Sequence, residues 1–184
     1  MLEGHEMRLF RMVMLVVVAM GFAGEGVAQT AIYGEFTGAK VSAVNTPWMY
    51  GPTVGFYHDS GHGLVATGLD VRGTFAGRGN TNGAYSEQTL VTLLGGVRLA
   101  VTPRVLRIKP YGEVLGGLGH LKAGQGVARR SSTKFAYQFL GGVDLTMLPR
   151  VDWRVVEFSY GQLVGLSNSF APKSLSTGIV FRLP

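Results

Sequence analysis

The chain has 184 residues, of which 46% are hydrophobic and 15% are charged, and its formal net charge is +6. This length suits one domain, and the lack of cysteine excludes a disulfide framework as the source of its stability. The basic residues are scattered, with only Arg129-Arg130 adjacent, which favours an anionic lipid surface over a nucleic acid as partner.

The amino end has the pattern of a secretory signal. Arg8 and Arg11 precede an apolar run over residues 12–23, and small residues follow up to Ala28. Twelve apolar residues are fewer than the roughly 20 that a membrane-spanning helix requires. We therefore expect a signal peptide over residues 1–28 and one domain over residues 29–184.

Eight stretches of alternating apolar and polar residues follow the signal. A membrane-spanning β-strand needs only about 9–11 residues, so its signature is a weak alternation repeated many times. The sequence predicts strands over residues 31–41, 49–58, 63–75, 88–101, 107–121, 134–147, 152–162 and 174–183. No long segment keeps a 3.6-residue apolar period, which disfavours a helical bundle.

The third, fourth and sixth predicted strands separate most cleanly into an apolar and a polar face. In a membrane barrel the apolar face contacts lipid and the polar face lines the lumen. The residues expected to face lipid include Leu93, Val97 and Phe139. Those expected to face the lumen include Asp70, Arg98 and Asp144.

The connections between the strands alternate in length. Short turns follow the second, fourth and sixth strands, whereas longer polar segments over 76–87, 122–133 and 163–173 follow the third, fifth and seventh. This alternation is typical of an up-and-down barrel with periplasmic turns and external loops. Both chain termini are then expected in the periplasm.

The polar face carries nearly balanced charge. Its acids are Glu35, Asp70, Glu113, Asp144 and Glu157, and its bases are Arg72, Arg98, Lys109 and Arg182. An unpaired ion in a water-poor interior is costly, so we expect a structural salt-bridge network that fills and closes the lumen. Glu113 or Glu157 is expected to pair with Arg98 or Arg72. A proton or ion path, or paired catalytic carboxylates, is the alternative.

The histidines give no complete site. His58 and His62 flank a short turn around Asp59, but this ligand set is too small for a metal, so we predict no metal and no cofactor. His120 lies where a lipid-hydrolysing barrel would place a base, with Ser131 and Ser132 some distance on. Nothing in the sequence fixes a Ser–His geometry. We therefore expect His120 to be a histidine at the membrane interface without a catalytic role.

The carboxyl end carries the most specific motif. Its polar-x-Gly-x-x-aromatic-x-apolar pattern is formed by Ser176, Gly178, Phe181 and Leu183. This motif resembles the signal by which outer-membrane barrels are recognised for assembly, although Leu183-Pro184 replaces the usual final aromatic residue. Over residues 30–184 the chain resembles the eight-stranded outer-membrane barrel family, the OmpA-type and OmpX-type transmembrane domains, without a peptidoglycan-binding domain.

The resemblance implies an all-β, eight-stranded, antiparallel up-and-down transmembrane barrel in the bacterial outer membrane. It further implies contact with outer-membrane lipid, with lipopolysaccharide and with the barrel-assembly machinery, and we expect a monomer. Arg129-Arg130 and Lys122 are candidates for contact with lipopolysaccharide phosphates.

Activity follows less directly, because one fold can host unrelated functions. The leading hypothesis is a non-enzymatic protein with a structural, adhesive or surface-interaction role through its long loops. A lipid-modifying enzyme is a second hypothesis, and it would require a Ser–His pair at one membrane interface. A small pore is a third hypothesis. A soluble lipocalin-type ligand-binding barrel is a fourth, and it would place the apolar face inside.

Overall fold

A computed structural model describes residues 29–41, 48–61, 64–78, 87–103, 107–124, 130–164 and 171–184. Eight antiparallel strands form one closed barrel in chain order, with β1 paired to β8. The strands are β1 (Gln29–Val41), β2 (Met49–Ser60), β3 (Val65–Arg78), β4 (Glu87–Val101), β5 (Ile108–Gly124), β6 (Arg130–Leu148), β7 (Val151–Leu163) and β8 (Pro172–Arg182). The predicted fold class is confirmed. The predicted signal peptide over residues 1–28 lies outside the described residues.

The strands are longer than predicted at several ends. β5 continues to Gly124 and β6 begins at Arg130, so the connection predicted over 122–133 contracts to 125–129. Polar residues continue the ladder here, with Lys122 opposite Ser131 and His120 opposite Thr133. Backbone pairing does not require apolar side chains, which is why the end of the apolar alternation underestimated the strand length.

Within the described ranges, no helix is long and apolar enough to cross a membrane.

The two faces of the sheet have the predicted orientation. Leu93 is 61% exposed and Phe139 is 51% exposed on the outer surface, whereas Asp70 is 0% and Asp144 is 1% exposed inside. A soluble ligand-binding barrel needs the opposite arrangement, with its apolar side chains inside. The lipocalin-type hypothesis is therefore wrong.

A β-bulge in β7 changes which residues face the lumen. On β6, Val143 pairs with Val156 and Asp144 pairs with Arg154, so Val155 is the extra residue. The same irregularity occurs on β8, between the partners of Arg154 and Glu157. A bulge of this kind shifts the alternation by one residue. As a result, Arg154 and Glu157 both point inward although they are three residues apart.

The lumen has two chemically distinct zones. We call the end of the barrel that holds Gln29 and Arg182 the lower end, and the opposite end the upper end. The lower lumen contains the buried charges and Tyr33, Tyr57 and Tyr111. The upper lumen contains hydroxyl side chains and an apolar cluster of small or aliphatic residues.

Glycines make room for the tyrosines of the lower lumen. A side chain at Gly55 would overlap the ring of Tyr33, and a Cβ at Gly142 would lie 2.5 Å from the Tyr111 hydroxyl. Mid-strand glycines thus allow the close approach that a narrow barrel requires.

Candidate functional site in the lumen and at the upper end

Arg154 on β7 is the centre of the lower lumen. Its Nε donates to Asp144 Oδ1 over 2.9 Å, and its Nη1 donates to Glu35 Oε1 over 2.5 Å and to Glu157 Oε2 over 3.3 Å. The side chain is completely buried. One guanidinium therefore joins carboxylates from β1, β6 and β7, which matches its forked donor geometry.

Arg72 on β3 extends this cluster towards the opposite wall. Its Nη1 donates to Glu157 Oε1 over 2.8 Å, and its Nη2 donates to Glu35 Oε1 over 3.0 Å. Glu35 and Glu157 therefore bridge Arg72 and Arg154. Four strands are linked by charge-assisted hydrogen bonds across the lumen, beyond the ladder bonds between neighbours.

Arg98 on β4 forms the second half of the network. Its Nη1 donates to Glu113 Oε1 over 2.5 Å, its Nε to Asp59 Oδ2 over 3.3 Å, and its Nη2 to Asp144 Oδ2 over 3.3 Å. Because Asp144 also accepts from Arg154, it connects the two halves. The two predicted types of pair, Glu113 with Arg98 and Glu157 with Arg72, are both present.

The buried tyrosines fill the space between the arginines. The Tyr111 ring lies between Arg98 and Arg154, with ring-to-guanidinium distances of 3.9 and 4.6 Å. Its hydroxyl donates to Glu157 Oε2 over 2.7 Å. The Tyr33 hydroxyl is 2.8 Å from both carboxylate oxygens of Asp70. Cation–π stacking and hydrogen bonding thus use both the faces and the edges of these rings.

Lys109 and Arg182 lie at the lower rim of the network. Lys109 Nζ is 3.2 Å from Asp152 Oδ2, and Arg182 Nη2 is 3.0 Å from Asp152 Oδ1. Both cations are partly exposed, while Asp152 is buried. These two pairs connect β5, β7 and β8 at the lower mouth of the barrel.

All nine charged residues that the sequence placed in the lumen are on its inward face, and seven of them are fully buried. Three further members were missed: Asp59, Asp152 and Arg154. The sequence placed Asp59 in a turn, but β2 continues through it. Strict alternation back from Val156 would turn Arg154 outward, and the bulge reverses this. A conspicuous Arg at an apparent lipid-facing position is the signal that could have revealed it.

The part of the upper lumen around Thr53 is built from neutral groups. A chain of hydroxyls crosses four strands, with Ser176 Oγ 2.9 Å from Thr37 Oγ1, Thr37 Oγ1 2.7 Å from Thr53 Oγ1, and Thr53 Oγ1 2.9 Å from Thr74 Oγ1. Leu90, Leu94 and Ala136 face this chain from the other wall. The cavity left between them is about 30 Å³, which is room for about two water molecules.

A Ser–His contact lies on the outer surface near the upper end. Ser131 Oγ is 3.1 Å from His120 Nε2, and Thr133 Oγ1 is 2.7 Å from His120 Nδ1. The next outward-facing pair below is Leu118 with Phe135. The contact therefore lies at the upper border of the apolar belt, the band of apolar side chains on the outer surface of the barrel. The sequence did not fix this geometry, because it depends on the register between β5 and β6.

The other residues singled out in the sequence have structural surroundings. Ser176 is buried and Gly178 pairs with both Glu35 and Arg154, whereas Phe181 and Leu183 are exposed outward. His58 Nδ1 is 2.8 Å from Thr30 Oγ1, and His62 lies outside the described residues. Within the part of the chain that the structure describes, no group of three or more His, Cys, Asp or Glu could hold a metal ion.

Comparisons with known proteins identify the fold. No family model matches the sequence, and no curated protein is similar to it. Among solved structures, Ail, the attachment invasion locus protein of Yersinia pestis, matches with a TM-score of 0.62 at 13% identity over 87% of this chain and 100% of that chain.

Neisserial surface protein A matches with a TM-score of 0.59 at 12% identity, over 85% of this chain and 97% of that one. A major outer membrane protein from Thermus thermophilus has a TM-score of 0.50 at 10% identity, over 85% of this chain and 100% of the other. The chain therefore has the closed eight-stranded barrel fold found in these outer-membrane proteins.

Proposed function

We propose that the chain is an integral protein of the bacterial outer membrane, with a closed lumen and no enzymatic activity, which acts through the surface at its upper end. The observation that carries the proposal is the inverted arrangement of its faces. Large apolar side chains cover the outside, while arginines and carboxylates are buried inside. Soluble proteins rarely expose so extensive an apolar surface, whereas a bilayer requires one.

Depth-dependent substitution tests the membrane location. Leu93→Arg places a charge near the middle of β4, and Val65→Arg places the same charge at the lower edge of the belt. In a bilayer we expect Leu93→Arg to lower the free energy of unfolding by about 2–4 kcal/mol and Val65→Arg by about 0–1 kcal/mol. Urea titration of the full chain in lipid vesicles measures both. Equal, near-neutral effects would contradict a membrane barrel.

The closed lumen follows from how its two zones are filled. The charged network with its tyrosines occupies the lower lumen, and the cavity between Thr37, Thr74 and Leu94 in the upper lumen has room for about two water molecules. We expect no steady single-channel current from the purified protein in a planar bilayer. Steady large currents would favour the small-pore hypothesis instead.

Attachment is the role we propose for the upper end, with lipopolysaccharide and anionic surfaces as partners of a monomeric barrel that the assembly machinery inserts. The chain carries an excess of six positive charges. Ail, which shares the fold, is named an attachment invasion locus protein, and one of its structures holds the heparin analogue sucrose octasulfate. The three longest connections in the barrel, over residues 42–48, 79–86 and 164–171, are also at the upper end, and loops on a rigid scaffold commonly carry binding residues.

Charge removal at the upper end tests this role. Lys122→Gln/Arg129→Gln/Arg130→Gln removes three cations from the end of β5, the connection that follows it and the start of β6, and should abolish binding of protein-bearing vesicles to immobilised sucrose octasulfate. The control replaces the lower turn at residues 149–150 by Gly-Ser, and it should bind like the unmodified chain. Equal binding by all three proteins would contradict a role for the upper end.

A lipid esterase is the second candidate, favoured by the contact between Ser131 and His120. If His120 carries its proton on Nδ1, that group donates to Thr133 Oγ1 and leaves Nε2 to accept the Ser131 hydroxyl proton. Serine could then attack an ester carbonyl, releasing the alcohol and forming an acyl-enzyme that water hydrolyses. The height of this contact, at the border of the apolar belt, suits a membrane lipid.

Acyl release from phospholipid or lipopolysaccharide decides between the candidates. Under the leading proposal, the unmodified chain releases no fatty acid. Release that is lost in Ser131→Ala and kept in Ser132→Ala, whose side chain is on the inward face, would establish the esterase instead.

A further inference from the structure

We propose that a phospholipid with a net negative charge binds at one place on the outer surface, between Lys40 of β1 and Lys173 of β8. The inference rests on the proposed function, because it requires the barrel to lie in a bilayer. It adds a specific lipid site to the general contact between a barrel and its membrane.

Two lysines lie side by side here. Lys40 and Lys173 are direct partners in the register between β1 and β8, and both are exposed on the outer face. Like charges at directly opposed positions of a sheet destabilise it, since their Cβ atoms are only about 4.5–5.5 Å apart. Among the described residues, the outer faces of β7, β8, β1 and β2 carry no carboxylate that could neutralise them. An anion shared by the two ammonium groups would remove this repulsion.

Aromatic side chains mark the height of the pair. Tyr160 is the β7 partner of Lys173, and the Lys173 ammonium lies 5.9 Å from its ring. Trp48 and Tyr50 are exposed on the other side, on and just before β2. Tyr and Trp are enriched where the hydrocarbon of a membrane meets its headgroups. The lysines are therefore at the level where lipid phosphates lie.

An apolar groove runs down the barrel wall directly below the lysines. It has a volume of about 360 Å³, crosses from β2 to β7, and is lined by Phe36, Gly38, Trp48, Tyr50, Val156 and Leu175 among others. Phe36 and Tyr50 stack with their centroids 6.0 Å apart and form one wall. Gly38 lies under the Tyr50 and Trp48 rings, which a larger residue would displace. The groove extends from the level of the two lysines down into the apolar belt.

Lys40 and Lys173 form a cationic clamp above the apolar groove, and this arrangement matches one occupant, a diacyl lipid whose phosphate headgroup has a net negative charge. The phosphate would lie between the two ammonium groups and one acyl chain in the groove. Free phosphate fits only the clamp, and an uncharged lipid fits only the groove, so neither uses both parts.

Native mass spectrometry of the full chain tests the proposal. The protein is reconstituted in nanodiscs with equal amounts of phosphatidylglycerol and phosphatidylethanolamine that carry the same acyl chains. We expect the lipid retained by the released protein to be enriched in phosphatidylglycerol, by about fivefold for each lysine that contacts it. Millimolar inorganic phosphate should not displace it.

Matched variants identify the site. Lys40→Gln/Lys173→Gln should retain the two lipids equally, while Lys40→Arg/Lys173→Arg should keep the enrichment. Arg107→Gln/Arg150→Gln removes two exposed charges from the lower end and should behave like the unmodified chain. Equal retention by the unmodified chain, unchanged enrichment in the glutamine variant, or displacement by phosphate would each overturn the lipid site.

Flotation with vesicles separates this result from the membrane location itself. If the unmodified chain fails to float with lipid, the proposed function fails. If it floats and yet retains no excess of anionic lipid, only the lysine site is rejected.

Discussion

The lower lumen is filled by ionised side chains on tyrosine rings, whereas the upper lumen is filled by hydroxyls and small apolar side chains. Both zones leave little room for water, but they differ in how well they tolerate substitutions. Each buried charge in the lower lumen depends on a particular partner, and a lone buried charge is expensive. Neutral groups in the upper lumen lose only weak interactions when one is changed.

This difference indicates a division of labour along the barrel axis. The lower zone fixes the relative positions of strands far apart in the sheet. The upper zone lies beneath the surface that we propose to carry attachment and lipid binding, where substitutions are better tolerated. Four predictions test the contrast.

The largest effect is expected at the centre of the lower lumen. Arg154→Met removes the partner of Glu35, Asp144 and Glu157. We expect the free energy of unfolding in vesicles to fall by about 3–5 kcal/mol, because carboxylates remain buried without their cation. Urea titration followed by tryptophan fluorescence measures this. Arg150→Met, at an exposed turn, is the control, and equal losses in the two variants would contradict the assignment.

Pairwise coupling is expected next. A double-mutant cycle with Arg98→Met and Glu113→Gln should give a coupling energy of about 1–3 kcal/mol, since these side chains are in direct contact. A cycle with Arg72→Met and Glu157→Gln should behave in the same way. The crossed cycle of Arg98 with Glu157 is the reference and should give a smaller value. Equal coupling in all three cycles would mean that the network has no specific pairs.

A smaller effect is expected where a tyrosine packs on a glycine. Gly142→Ala would place a Cβ 2.5 Å from the Tyr111 hydroxyl and should lower the free energy of unfolding by about 1–3 kcal/mol. Its neighbour Gly141 faces outward, and a Cβ there would lie 3.7 Å from the nearest atom. Gly141→Ala should therefore be tolerated, and a greater loss from Gly141→Ala than from Gly142→Ala would contradict the packing.

The smallest effect is expected in the upper lumen. Thr53→Val removes the middle of the hydroxyl chain that joins Thr37 and Thr74. We expect a loss of about 1 kcal/mol by the same urea titration, because only neutral hydrogen bonds are broken. Thr89→Val, on the outward face, controls for the substitution itself. A loss as large as that of Arg154→Met would remove the contrast between the two zones.

The sequence predicted the strands and their faces because these follow from a two-residue alternation that each strand carries by itself. Strand ends were less accurate, since pairing extends into polar residues such as Lys122 and Ser131. The local mark of the bulge at Val155 is an arginine at an apparently lipid-facing position, and a strict two-residue alternation does not allow for it. Its effect on Arg154 was therefore missed, and with it the centre of the network.

Side-chain contacts between strands could not be predicted from the sequence for a different reason. The register decides that Glu113 meets Arg98, that Ser131 reaches His120, and that Lys40 lies opposite Lys173. The alternation is the same after a shift of two residues, so it determines the face of a residue but not its height. Charge balance predicted that a network exists, and only the fold shows which atoms meet.

The separation of Glu35 and Arg154 along the chain has a consequence for how the barrel folds. These partners are 119 residues apart, and Arg72 and Glu157 are 85 apart. Their attraction cannot act before the sheet curls enough to bring β7 close to β1 and β3, so intermediates with an open sheet hold unpaired arginines and carboxylates. Contacts of such high order slow folding, because the entropy of loop closure is lost before they form. We therefore expect the lower half of the barrel to close late and in a single concerted step. The ion pairs of the arginine cluster would form in this step, after the sheet has inserted into the membrane.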